Sequence, residues 1–295
     1  MREAPSTQMT SSETALENLR REIDRIDDSI HDLLMQRVDI VARVAGVKSD
    51  GAPLFRPARE ARILRRLIGR HAGPFPKPVL ARIWREMLGA TVRQQGTFTI
   101  GAHAPDSEQG CWDLARNHFG AHAPVSLHGS VGQVVSDVTA GRLTLGVVPY
   151  PRESERQPWW PLLASTDPGA PRVVARLPFA GRARGRAENF DALILARQPH
   201  EDSGSDVTMI VVETDATVSR ATLKSALAEA GLTAQFFASW VDAERSGSEL
   251  TLAEVAGFAP ATDRRVASLA GPGIRRVAIV GGYAVPLSEA ELAAG

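Results

Sequence analysis

The feature that most constrains the fold is a long stretch of sequence that contains no helix-breaking residue. Between residues 13 and 48 there is no proline, and the first glycine is Gly46. Apolar residues recur there at alternating steps of three and four, at Leu16, Leu19, Ile23, Ile26, Ile30 and Leu33. This spacing predicts one amphipathic helix, about 50 Å long, which is more than a small monomeric domain covers. Another helical surface, such as that of a second chain, is therefore expected to cover its apolar face.

Two more helices are predicted after Gly51, Pro53 and Pro57, which interrupt the pattern. Residues 58–70 form the first of them, with an apolar side at Ile63, Leu64, Leu67 and Ile68. Residues 78–95 form the second, with a buried side at Val79, Leu80, Ile83, Met87 and Leu88. A proline at the start and a glycine, Gly96, just past the end fit the usual limits of a helix. Residues 13–95 are thus predicted to be an all-α domain of three helices.

The remaining chain mixes strands and helices. Residues 97–150 show the order βαβαβ, which predicts an α/β lobe over residues 97–200. Residues 149–189 are rich in proline, glycine and arginine, with RVVARLPFA as the one plausible strand. The order βαββαβ from residue 207 to 283 predicts an α+β ferredoxin-like domain over residues 206–286. The expected fold class is therefore multidomain, with an all-α, an α/β and an α+β part.

Composition excludes several classes of protein. Hydrophobic residues are 43% and charged residues 23% of the chain, which is near the globular average. Lys plus Arg equals Asp plus Glu at 34 each, so no overall field favours nucleic acid or an anionic membrane, and neither is expected as a partner. With a single cysteine, Cys111, and no apolar run typical of a signal peptide, a cytoplasmic protein is expected.

Two cations interrupt the apolar stripe of the first helix. Continuing the stripe from Leu33 leads to Arg37 and later to Lys48. Eleven residues separate them, so both point the same way about 16 Å apart along the axis and can line one groove. Arg20 lies about 25 Å before Arg37 and is turned by about 100°, so it cannot share a small ligand with Arg37 unless it comes from another chain. The alternative is that the two cations simply extend from the helix edge to water.

Residues 13–95 resemble the all-helical, AroQ-type chorismate mutase domain found in bifunctional phenylalanine-pathway P-proteins. The resemblance rests on the segments LRREIDRIDDSIHDLLMQRVDIVARVAGVKSD, PLFRPAREARIL and IWREMLGATVRQQ. It implies a homodimer with shared active sites, in which Arg20 reaches the partner's site. The other implied site residues are Arg37, Lys48, Arg59, Glu60, Thr91 and Gln95. One departure is Arg56, where a well-known member has an aspartate; the resemblance there implies tuning of the site and not its loss.

The resemblance implies rearrangement of chorismate to prephenate, which breaks one carbon–oxygen bond as a carbon–carbon bond forms. This step needs no nucleophile, proton relay, metal or cofactor, and none is expected. The site must hold a flexible dicarboxylate in its reactive conformer and stabilise charge on the ether oxygen. The resemblance then implies that Arg20 and Arg37 clamp the carboxylates, while Lys48 and Gln95 face the ether oxygen. It implies further that Glu60 accepts the substrate hydroxyl and that Arg59 and Thr91 add polar contacts.

Residues 98–197 resemble a shortened prephenate dehydratase lobe, and the segment from 207 to 283 resembles a regulatory ACT domain. In the first, Tyr150, Pro151 and Arg152 stand where the family has Ile-Glu-Asn, and NFDA at 189–192 stands near its Thr-Arg-Phe motif. In the second, ATVSR at 216–220 and FASW at 237–240 replace the glycine-containing turn and the Glu-Ser-Arg-Pro motif. The resemblance therefore predicts a lobe without dehydratase activity and a tail that does not bind phenylalanine.

Two alternatives remain open beside a monofunctional mutase. The first alternative is a bifunctional chorismate mutase and prephenate dehydratase. The second is a non-catalytic regulatory or interaction subunit. A metal site is not expected, although four histidines lie close in sequence, at His103, His118, His122 and His128. No cysteine or acidic residue completes a ligand set among them.

Overall fold

The computed structural model describes residues 11–47, 52–105, 109–153, 155–165, 167, 169–181, 190–241 and 247–293. The chain divides into two compact units, Met1–Ala52 and Pro53–Gly295. The second unit contains the second and third predicted helices as well as all the strands. The predicted domain limits of 13–95, 97–200 and 206–286 therefore stay a prediction.

The first unit contains the long helix α1, Ser11–Val47, as its sequence pattern predicts. None of its residues is buried. Its apolar stripe is about half exposed or more along its length, reaching 63% exposure at Leu33. The helix thus presents an apolar face, as expected for one that needs another surface.

The second unit begins with helices α2, Pro57–Arg70, and α3, Lys77–Gln94. Both match the predicted helices to within one residue, and each has a proline in its first turn, where no intrahelical N–H partner is lost. Their apolar sides pack with the end of the chain in a cluster of Ala61, Leu64, Ile68, Ala81, Phe179, Ala284, Leu287 and Leu292. Burial of this cluster is the main force that holds the two helices in this unit.

One nine-stranded sheet runs through the described part of the second unit. Its strands are β1 Ile100–His103, β2 Val125–His128, β3 Leu145–Pro149, β4 Arg172–Leu177, β5 Ala192–Ala196, β6 Asp206–Asp215, β7 Ala234–Trp240, β8 Ser248–Ala256 and β9 Ile274–Ala284. Their order is β2-β1-β3-β5-β4-β9-β6-β8-β7. The helices between them are α4 Gly110–Phe119, α5 Val131–Thr139, α6 Arg220–Glu229, α7 Arg264–Ala267 and α8 Glu289–Ala293, with a short 3₁₀ turn at Trp160–Leu163. The predicted element orders βαβαβ and βαββαβ are confirmed.

Strand β5 is a correction to the sequence analysis, which predicts no strand after residue 180 in the α/β lobe. Its five residues are all buried, and it pairs antiparallel with both β3 and β4. The segment ALILA is a continuous apolar run, as expected of a strand with both faces covered. Ile194 packs on the side of α4 and Leu195 on the side of α5, so the two helices cover opposite faces of this part of the sheet.

The α/β lobe and the ferredoxin-like part share one sheet because β4 pairs in parallel with β9. Strands β6 to β9 alone have the order β9-β6-β8-β7, the arrangement expected of a ferredoxin-like domain. The close approach depends on Gly281, which has a φ of +126° and where a Cβ atom would lie 2.1 Å from the Val173 carbonyl oxygen. The junction therefore requires glycine at this position.

Candidate functional site

One charged candidate, Glu60 in the first turn of α2, is buried. Glu60 is 8% exposed. The Arg85 Nη1 atom donates a hydrogen bond to Glu60 Oε2 at 2.6 Å. Arg85 comes from α3 and is itself 7% exposed. A carboxylate at this depth requires a charged and hydrogen-bonded partner, which Arg85 supplies.

A second side chain, His118 from α4, completes this cluster. Its Nε2 atom lies 3.4 Å from Arg85 Nη1 and 3.8 Å from Glu60 Oε2. Burial, and then the charge of Arg85, lower the pKa of His118 well below its usual range, so the ring is neutral near pH 7. A neutral ring with its proton on Nδ1 accepts the Arg85 N–H through Nε2. Glu60, Arg85 and His118 are called the buried triad below.

The buried triad is tightly enclosed. The Arg85 guanidinium lies over the Phe179 ring, 5.3 Å from its centre. The smaller of two cavities beside the triad is lined by Pro57, Arg85, His118, Ala175, Arg176, Phe179 and Ala284, and its volume is about 10 Å³. This is about the space that one water molecule needs, so the described side chains leave no room for a substrate within this cavity.

Thr91 and Gln95 lie one turn apart near the end of α3. Thr91 is buried and its hydroxyl donates to the carbonyl oxygens of Met87 and Leu88. The Gln95 Nε2 atom donates to the Thr91 carbonyl oxygen at 3.1 Å. The structure thus brings these two side chains to one face of the helix, and α3 positions both.

The remaining candidates lie further apart. Arg59 is exposed in the first turn of α2, and Arg56 forms an ion pair with Glu201 at 2.6 Å. On α1, Arg20 lies 3.8 Å from Glu17 and is exposed, while Arg37 is half-buried. Lys48 lies outside the described residues. The convergence of the α1 candidates with Glu60, Thr91 and Gln95 on one substrate stays a prediction.

A second polar network lies where the two parts of the sheet meet. Arg176 on β4 donates to Asp191 Oδ2 at 2.7 Å and to the Tyr283 hydroxyl at 3.2 Å. The Tyr283 hydroxyl donates to Glu254 Oε1 at 2.8 Å, and Tyr150 also hydrogen-bonds to Glu254. Burial raises the pKa of Glu254 and of both tyrosines, which favours their protonated forms. The positions that depart from the dehydratase motifs, Tyr150 and Asp191, thus serve internal contacts of the sheet.

The structure brings two histidines of the sequence cluster together, because His103 and His128 are register partners on β1 and β2. His128 also lies 3.5 Å from Asp137, whereas His118 belongs to the buried triad and His122 is exposed. Within the ranges that the structure describes, no three His, Cys, Asp or Glu side chains are placed to hold a metal ion.

Arg85 and His118 were not predicted as site residues. A usable signal for Arg85 exists in the sequence, because Ala81, Arg85, Leu88 and Val92 follow the apolar spacing of α3 with one cation among them. No local pattern links His118 to Glu60, since they belong to different helices.

Comparison with known proteins identifies the helical segment. Residues 19–96 match the family described as chorismate mutase type II. This segment, about a quarter of the chain, is similar to type II chorismate mutase domains. Within the described ranges no helix has the length and hydropathy to cross a membrane.

The longer matches are partial. A bifunctional chorismate mutase/prephenate dehydratase of Stutzerimonas stutzeri is 28% identical over 146 residues, which are 48% of this chain and 40% of that protein. The chain thus matches less than half of this curated relative's length. A solved structure described as GqqA, a novel type of quorum quenching acylase, covers 65% of this chain and 97% of its own, with 17% identity and a TM-score of 0.47. A prephenate dehydratase from Streptococcus mutans covers 64% of this chain and 99% of its own, with 14% identity and a TM-score of 0.46.

Proposed function

We propose that this protein is a chorismate mutase, an isomerase that converts chorismate to prephenate in the biosynthesis of aromatic amino acids. The observation that carries the proposal is the match of residues 19–96 to the type II mutase family. That segment includes each candidate site residue from Arg20 to Gln95. The polar set fits a reaction that needs clamped carboxylates and a stabilised ether oxygen, with no bound cofactor.

The proposed roles follow the charges of the side chains. Arg20 and Arg37 bind the two carboxylates, because a guanidinium offers two parallel N–H donors to each carboxylate. Lys48 and Gln95 donate to the ether oxygen as negative charge develops there. Glu60 accepts the ring hydroxyl, and Arg59 and Thr91 add polar contacts.

The test is to add chorismate to the purified protein and to follow both its loss and the appearance of prephenate. The proposal expects a rate many times the uncatalysed rate, with saturation in chorismate. A rate equal to the uncatalysed one, from folded protein, would overturn it and favour the non-catalytic alternative.

We also propose that the active form is a homodimer. The exposed apolar stripe of α1 supports this, because a stripe of this length needs a matching helical surface in water. A second copy of the chain supplies a stripe of the same length. The spacing of Arg20 and Arg37 along α1 adds to the argument, since one helix cannot bring both to a single small ligand.

We propose that the lobe after the mutase domain does not dehydrate prephenate. Tyr150 and Asp191, at two positions where the sequence departs from the dehydratase motifs, are engaged in the network around Arg176. Residues 182–189, which include Asn189, lie outside the described residues. The second candidate function, a bifunctional mutase and dehydratase, is favoured by the name of the S. stutzeri relative.

A further inference from the structure

We infer that Arg85 and His118 are positioning residues of the mutase site, and that the lobe after the mutase domain completes that site by supplying His118. The inference rests on the proposed function. His118 lies outside the matched segment of residues 19–96, in helix α4. It reaches the carboxylate of Glu60 through Arg85, so the lobe acts on the substrate-facing group without touching the substrate.

The geometry defines the order of contacts. The short contact joins Arg85 Nη1 to Glu60 Oε2 at 2.6 Å, and the longer one joins Arg85 Nη1 to His118 Nε2 at 3.4 Å. Both contacts use the same guanidinium nitrogen, which has two N–H groups. His118 therefore fixes the rotation of the guanidinium, and the guanidinium in turn fixes the carboxylate oxygen.

The His118 ring is itself held in place by aromatic neighbours. The Phe119 ring lies 4.7 Å away and the Phe55 ring 5.9 Å away, both in edge-on contact. These contacts limit ring rotation and direct Nε2 toward Arg85. A purely apolar replacement of similar size would keep this packing but would lose the acceptor.

Contacts between α3 and α4 keep the two helices in register. Arg93 Nη1 donates to the Phe119 carbonyl oxygen at 2.8 Å, and the Ala121 backbone N–H donates to Glu86 Oε2 at 3.2 Å. A Cβ atom on Gly89 would lie 2.1 Å from the Phe119 carbonyl oxygen, so the helices approach very closely. A close, hydrogen-bonded contact of this kind holds α4, and with it His118, in a fixed position relative to α3.

The deciding comparison is His118→Gln against His118→Asn. A glutamine amide oxygen reaches the position of Nε2, whereas an asparagine oxygen falls about one bond short. Both variants are polar and differ by one methylene group, so we expect them to have nearly equal free energies of unfolding. With wild-type mutase activity measured first, we expect kcat for the Asn variant to fall about tenfold or more with KM changed less, and the Gln variant to keep most of the rate.

The pH profile separates positioning from packing. The Glu60 carboxylate faces Arg85 from α3, 2.6 Å away, and His118 from α4, 3.8 Å away. In the Asn variant Arg85 is held less firmly, so the Glu60 carboxylate binds a proton more readily. The acid limb of the pH profile of kcat/KM therefore moves to higher pH. The Gln variant keeps the wild-type limb. His118→Phe, which preserves the aromatic packing, is expected to behave like the Asn variant.

The matched control is His200, which is also buried and neutral near pH 7 but contacts Thr208 and Phe258. His200→Asn and His200→Gln should leave kcat and the acid limb unchanged. Equal activity of folded His118→Asn and wild type would overturn the inference, as would an equal loss in the Asn and Gln variants with an unchanged acid limb. If the wild type itself converts no chorismate, the proposed function fails before the variants are compared.

Discussion

At the scale of single residues, the site depends on charges that a buried or apolar surface would normally exclude. Arg37 interrupts the apolar stripe of α1, and Arg85 interrupts that of α3. Arg85 is compensated by Glu60 at 2.6 Å, which offsets the cost of burying both charges. For Arg37 we propose a role in binding a substrate carboxylate.

The first prediction concerns Arg37. Replacing it with Ala is expected to lower the catalysed rate about 100-fold to 1000-fold, because a charge-assisted donor to the transition state is lost. Helix content measured by circular dichroism should not change, since alanine is a good helix former. Arg43→Ala, an exposed arginine on the same helix, is the control and should keep its rate. Full activity of Arg37→Ala would rule out the assigned role.

The second prediction concerns the pH dependence of stability. Burial lowers the pKa of His200 from 6.5 to about 4, so the folded form resists its protonation. Below pH 6.5, the ordinary pKa of histidine, His200 binds a proton more readily in the unfolded chain than in the folded one. The free energy of unfolding therefore falls as the pH drops from 6.5 to 4. The contribution of His200 is about 3 kcal/mol at the acid end. Urea unfolding at pH 7 and pH 4 should show a smaller loss for His200→Gln than for wild type; an equal loss would contradict the assignment.

At the scale of elements, close contacts between helices and strands define the second unit. Helix α3 meets α4 at Gly89, and strand β4 meets β9 at Gly281. Both contacts bring backbone against backbone, where the neighbouring atoms cannot move aside as a flexible side chain does. The glycine positions thus determine which elements can be neighbours.

The third prediction tests the α3–α4 contact. Gly89→Ala places a methyl group against the Phe119 carbonyl oxygen and is expected to cost about 1–3 kcal/mol of unfolding free energy, despite the better helix propensity of alanine. Gly69→Ala is the control, because it lies in α2 with no atom within 4 Å of an added Cβ. It should be neutral or stabilising by up to about 1 kcal/mol. Chemical denaturation measures the free energy of unfolding of both variants. Equal changes in Gly89→Ala and Gly69→Ala would rule out the close approach of α3 and α4.

At the scale of the whole molecule, the chain combines an exposed apolar helix with a unit built on one continuous sheet. The sheet joins an α/β part to a ferredoxin-like part through β4 and β9. The polar network around Arg176 lies at that junction and uses side chains from both parts. We therefore expect the two parts to unfold together and the mutase domain to depend on them for His118.

The fourth prediction tests the shared site of the proposed dimer. Arg20→Ala and Arg37→Ala chains should each be nearly inactive alone. Mixed and reassembled, they should recover part of the activity, because one of the two sites in a heterodimer then contains both arginines. Activity is measured after separation of tagged heterodimers. No recovery in verified heterodimers would argue against a partner-supplied Arg20.

The fifth prediction concerns the lobe. Incubation with prephenate near neutral pH should give no phenylpyruvate above the uncatalysed rate, because the residues at the altered motifs serve internal contacts and cannot position the substrate. Phenylalanine should change neither the mutase rate nor the melting temperature. Enzyme-dependent phenylpyruvate would instead establish the bifunctional alternative.

Much of this molecule follows from its sequence because helices and strands have local periodicities. The length of α1, the limits of α2 and α3, and the element order of both sheet parts follow from the spacing of apolar residues and from prolines. The set of mutase candidates follows from the resemblance, which the type II family match over residues 19–96 confirms. The individual roles of those candidates stay predictions.

Only the tertiary structure decided the contacts between distant segments. The pairing of Glu60 with Arg85 spans 25 residues, and that of Arg85 with His118 spans 33. The insertion of β5 between β3 and β4, and the joining of β4 to β9, likewise depend on long-range pairing. A short apolar run such as ALILA carries no sign of its neighbours, because hydrophobic burial has no direction and the choice of partner is made by packing of the whole chain.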